Sequence, residues 1–160
     1  MALLSSLVQN EMLVVAPITT ESLILTATLF LSVCLITLKG NHELESHQKA
    51  FKVSEQLQHA EITQLMDFIA VSIKEFINSQ HINAKIVEHS TNSDTLELGF
   101  TFSFPVAQTA IDAGKLLRWT KGFNCPGAVG NDIVQLLQAA LDRNSVNVHV
   151  GMMLHPLFRL

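Results

Sequence analysis

The run Leu98-Gly99-Phe100-Thr101-Phe102-Ser103-Phe104 alternates large apolar side chains with small or hydroxyl-bearing ones, and Pro105 closes it. A period of two is the mark of a strand with one packed face. Pro105 has no amide hydrogen to donate, so the ladder ends there. Ser103 therefore stands at a strand end, where α/β folds place ligand-binding groups. A second polar site follows closely in Trp119-Thr120-Lys121-Gly122-Phe123. A hydroxyl and an ammonium between aromatic flanks can hydrogen-bond a polyol and cover its apolar face.

With 160 residues the chain has room for one ordinary domain with a real core. Ten basic against fourteen acidic residues give a net charge of -4 with no basic cluster, which argues against a nucleic-acid surface. The seven His are scattered and form no H-E-x-x-H pattern. Cys34 and Cys125 lie far apart in sequence, which favours reduced thiols over a metal site.

Before Lys39 the only charges are Glu11 and Glu21, and Ser22 to Leu38 is uncharged. That length falls just short of the roughly 20 residues of a membrane-spanning helix. Residues 12–38 can thus be read as a membrane segment or as buried or ill-ordered strand. The missing flanking cations weigh toward strand. No basic start marks a signal peptide.

Further on, Val33 to Leu38 and Glu43 to Phe51 read as a hairpin around Lys39-Gly40-Asn41-His42. Ile62, Leu65, Met66, Ile69, Ile73, Phe76 and Ile77 recur at helical spacing. A polar loop, His81 to Thr95, holds His89 and a short strand at Lys85 to Val87. A second helix spans Asp132 to Asp142 with Asn131 as N-cap and Asn144 near its end. Val146, Val148 and Val150 alternate with Asn147 and His149 as a final strand.

The stretch LGFTFSFP, followed by G-x-L-x-x-W-T-K-G-F, resembles the sugar-binding signature of eukaryotic hexokinases and glucokinases. The resemblance implies that Ser103 bonds a sugar hydroxyl, that Phe104 and Pro105 shape the pocket wall, and that Thr120 and Lys121 bind further hydroxyls. Phe100, Phe102 and Trp119 read as core packing. The likeness covers residues 33–150 and corresponds to the family's smaller lobe. It leaves a divergent apolar segment, 1–32, and a divergent tail, 151–160. It implies an α/β lobe of ribonuclease H-like, actin-like ATPase type, a mixed sheet with two main helices, and the alternating strand and helix signals agree.

Departures from the family pattern are local. Where hexokinases carry a D-x-G-G-T-N-x-R phosphate loop, Leu25 to Ser32 has no Gly, Asn or Arg. Phosphate needs bare backbone amides and cationic partners. The family's Lys before the aromatic ending the second strand is Ala50 here, and Lys49, one place earlier, should point elsewhere as solvated surface. Beyond Val150 the family's Asn-Asp turn, with its catalytic base, is replaced by Gly151 to Leu160, and no carboxylate follows Asp142. Asp132 is explained by a helix start, Asp112 falls in the signature spacer, and His149 and His155 read as structural. No catalytic, cofactor-binding or metal residue is assigned, although the family implies ATP and magnesium. The expectation is a cytoplasmic chain that descends from sugar phosphotransferases, keeps part of a hexose site, most naturally for glucose, and has little or no activity alone. The alternatives are a non-catalytic sugar-sensing or interaction module that docks on a full-length hexokinase or a membrane, and a non-functional product of a truncated or mis-spliced gene.

Overall fold

The computed structural model describes residues 21–27, 30–40, 43–79 and 96–154. The expected strand at Lys85 to Val87, and His89 and His155, lie outside the described residues. In chain order the elements are β1 (Glu21–Ala27), β2 (Phe30–Gly40), β3 (Glu43–Lys52), α1 (Glu55–Gln58), α2 (Ile62–Ser79), β4 (Leu96–Phe102), β5 (Val106–Ala110), β6 (Ala113–Leu116), α3 (Ile133–Arg143) and β7 (Val148–Leu154). A five-stranded sheet has the order β3-β2-β1-β4-β7, and β5 and β6 form a separate hairpin.

Where it is described, at 21–27 and 30–38, the apolar run that could have been a membrane helix is strand, and residues 12–20 and 28–29 lie outside the described residues. β1 pairs antiparallel with β2 from Glu21↔Thr37 to Ala27↔Leu31, and parallel with β4 from Ser22↔Glu97 to Ala27↔Phe102. A short strand paired on both sides can be as uniformly apolar as a helix, which is why periodicity could not identify it. No helix among the described residues is long and apolar enough to cross a membrane. β2 begins at Phe30 and β7 runs to Leu154, so the sheet takes in residues on both sides of the expected junctions at 32 and 150.

One sheet face is aliphatic and aromatic. Leu31, Val33 and Leu35 of β2, Leu98, Phe100 and Phe102 of β4, and Val148, Val150 and Met153 of β7 are buried. They meet the buried stripe of α2, which is Ile62, Leu65, Met66, Ile69, Ile73, Phe76 and Ile77, as the helical spacing predicts. Beside it α3 buries Ile133, Val134, Leu137, Ala140 and Leu141. Asp67 of α2 accepts from Arg143 at 2.8 Å and from the Asn144 side chain at 3.0 Å, locking the two helices. On the opposite sheet face, Thr101 of β4 is fully buried and its hydroxyl has no partner.

Two local expectations need correction. The N-cap of α3 is Asp132, not Asn131: Asp132 Oδ1 accepts from Val134 N at 2.9 Å and Gln135 N at 3.2 Å. Asn131 instead donates its amide to Gly127 O at 2.8 Å. Lys49 is half-buried and not merely solvated, since its ammonium lies 2.7 Å from Glu75 of α2 and over the Phe51 ring.

Strand β7 lies at the sheet edge, and its outer backbone groups are taken up. Gln138 of α3 accepts from Val150 N at 2.9 Å and donates to Val148 O at 3.1 Å. From the β5–β6 hairpin, Ile111 O accepts from Met153 N at 2.7 Å and Gln108 donates to Met153 O at 2.9 Å.

Candidate sugar site

Because β1, β4 and β7 are mutually parallel through β4, their carboxyl ends share one edge of the sheet. That edge is where open α/β sheets bind ligands. β4 delivers Ser103 there, half-buried, immediately after Phe102. Phe104 is 1% exposed, and Pro105 O accepts from Leu117 N at 2.9 Å. This bond ties the strand end to the second half of the signature across the β5–β6 hairpin.

The phenylalanines expected as core are core, and the ring of Phe104 joins them. Its centroid is 4.7 Å from that of Phe102, 4.9 Å from Trp119 and 5.2 Å from Phe123. Trp119 and Phe123 stack on each other at 5.7 Å. Between these two rings the backbone reverses: Lys121 has φ 55°, Gly122 has φ 83°, and Phe123 N donates to Thr120 O at 3.1 Å. Two consecutive positive φ values under such a bond are the pattern of a type I′ turn, which favours Asn-Gly and not Lys-Gly. Reversal carries the Lys121 ammonium to 5.7 Å from the Phe104 ring centroid. The chain thus brings Lys121 back to the residue following Ser103. Thr120, half-buried, starts the same turn.

The turn is pinned from below. Trp119 Nε1 donates to Cys125 O at 2.9 Å, and Asn124 N donates to Gln58 O at 2.8 Å. The Cys125 thiol faces Leu57 O and Gln58 O at 3.4 and 3.3 Å. Burial, helped by the Glu61 carboxylate, pushes that thiol up to about 11. A thiol so placed is inert packing and not a nucleophile.

The other polar groups are occupied elsewhere. Asp132 spends its second carboxylate oxygen on Gly114 N at 3.1 Å, so it is a structural clamp and not a free base. His149 sits 3.1 Å from Glu97, exposed. Among the described residues no group of His, Cys, Asp and Glu could hold a metal ion. Nor does the β1–β2 connection suit a nucleotide: every residue from Leu25 to Ser32 carries a Cβ, and none is a cation. Among the described residues nothing is gathered that fits the ATP and magnesium that the family implies.

The β5–β6 hairpin and the reversed turn at Lys121 were missed in the sequence. Ile111-Asp112 was the one available signal for the first, and Gly122 for the second.

A family model described as hexokinase matches residues 25–155. The chain belongs to the hexokinase family. The match takes in the last three residues of β1, so it reaches further than the likeness visible in the motifs. Hexokinase-1 of Saccharomyces cerevisiae is 39% identical over 124 residues, covering 75% of this chain and 24% of that protein. The hexokinase of Schwanniomyces occidentalis is 37% identical over 120 residues, with 75% and 24% covered. Hexokinase-3 of Homo sapiens is 38% identical over 115 residues, 71% of this chain and 12% of that protein. The chain therefore spans about a quarter of the length of these fungal hexokinases, or less of the human one. Among solved structures, a Schistosoma mansoni hexokinase complexed with glucose superposes with a TM-score of 0.72 at 28% identity, covering 86% of this chain and 29% of that one. The sheet is that of an actin-like ATPase lobe in part, as expected.

Proposed function

We propose that this chain carries a hexose-binding surface of hexokinase type, with glucose as the preferred ligand, and that it transfers no phosphate by itself. Ser103, Thr120 and Lys121 supply hydrogen bonds to sugar hydroxyls. Phe104 and Pro105 form the wall, Phe104 chiefly as the support beneath Lys121. The observation that carries this reading is the return of Lys121 to Phe104, beside Ser103, at the carboxyl end of a parallel strand. The glucose bound by the Schistosoma relative supports the choice of sugar. ATP and magnesium belong to the activity of the whole family, and nothing between β1 and β2 equips this chain to hold them. A cytoplasmic site of action fits a chain with a family history in sugar phosphorylation.

Half a cleft covers half a ligand, so the glucose affinity is weak, on the order of millimolar or above. Calorimetric or saturation-transfer titration with glucose tests the proposal. Saturable binding that Lys121→Ala weakens about tenfold or more supports it, and binding of unchanged affinity in this variant defeats it.

A further inference from the structure

We propose that Trp119 is a positioning residue for Lys121: its indole N–H clasps the loop that holds the ammonium over Phe104. The inference rests on the hexose-binding reading for its consequence, but not for its geometry. Lys121 has φ 55°. A residue with a Cβ does not choose that conformation unaided, and in a type I′ turn Asn would be the ordinary occupant. Something else must impose it, and something must reward the side chain for being lysine.

The constraint is visible on both sides of the turn. Trp119 Nε1 donates to Cys125 O at 2.9 Å, bridging the residues that flank the reversal. Asn124 N and the Cys125 thiol fasten the far side to Gln58 and Leu57 at the end of α1. The indole also stacks on Phe123 and meets Phe104 edge-on at 86°. One side chain therefore touches the closing carbonyl, the ring after the turn and the ring under the ammonium. Trp119 is half-buried, as an indole should be when its ring packs and its N–H is spent on a carbonyl.

The test replaces Trp119 with 3-benzothienylalanine, which keeps the bicyclic shape and lacks only the N–H, with Trp119→Phe as the genetically encoded partner. Two readouts are followed in the full chain: the ring-current displacement of the Lys121 Cε protons, assigned by comparison with Lys121→Arg, and the glucose dissociation constant. The expected result is that the Lys121 protons lose at least half of their displacement while circular dichroism and the melting midpoint of the isostere stay near wild type. Glucose binding weakens about five- to tenfold, the worth of one hydrogen bond. An unchanged Lys121 displacement overturns the proposal whatever the sugar does. A displaced Lys121 with unchanged glucose affinity overturns its functional half. If the unaltered chain binds no glucose, the hexose reading fails, and the Lys121 protons still decide whether the indole positions the ammonium.

Discussion

The ends of β1 and β4 lie side by side in the sheet, with Ala27 opposite Phe102. After β4 come Ser103, a buried aromatic and a strained turn that carries a cation back to it. After β1 comes Thr28-Leu29, and then β2 begins. Both ends keep their strand pairing intact. Backbone ladders tolerate almost any side chains that suit a covered strand, so the sheet persists where the loop chemistry has been exchanged. A ligand site is less forgiving, because it needs named groups at fixed places.

The largest effect bears on whether the β1 end is silent. Pure protein with glucose, ATP and magnesium should form glucose 6-phosphate at a rate at least about 10⁴-fold below that of a working kinase, since both a general base and phosphate-binding donors are in question. A coupled dehydrogenase assay checks this, and ordinary turnover would erase the contrast between the two ends. Next, Phe104→Ala should cost about 3–5 kcal/mol of stability in urea unfolding, as expected for a buried ring. A smaller loss would mean that the β4 end is all surface. Lys121→Ala should weaken glucose binding by about tenfold or more, the loss of a charged hydrogen bond. Lys121→Asn should weaken it equally while raising stability by about 1 kcal/mol, because Asn tolerates the left-handed turn. Asp132→Ala should cost about 1–2 kcal/mol through the lost cap and the freed Gly114 amide. The last effect concerns Cys125. Its thiol is raised from an ordinary value near 9 to about 11. A buried neutral thiol stabilises the fold fully below the unfolded value, so this contribution should fade as pH climbs from about 9 to about 11. Thiol labelling at pH 8 should accordingly be slow until the loop is opened by denaturant.

Much of the fold could be read from residue order alone. The stripe from Ile62 to Ile77 is buried as its spacing requires. The alternation around Phe100 and Phe102 is a strand, although it stops at Phe102 and leaves Phe104 in a loop. β1 was ambiguous because a central strand and an apolar helix can have the same composition over a short run. The hairpin β5–β6 was invisible because its strands are only five and four residues long, β5 is largely exposed, and the buried Gly114 and Leu116 of β6 are too few to show a period. Of the site, the residue types were legible and their arrangement was not. Nothing in W-T-K-G-F states that the indole reaches Cys125 or that Lys121 takes a positive φ, since both depend on how Phe104 and Gln58 meet the turn.

The covering of β7 by Gln138, Gln108 and Ile111 has a bearing on handling. A strand at the rim of a sheet invites a neighbour's strand to extend it, and long storage at high concentration turns such invitations into fibrils. Here the glutamine on α3 and the tip of a small hairpin occupy that row before another molecule can. Replacing Gln138 with an apolar residue would open it, so concentrated samples of such a variant should polymerise where the parent stays clear.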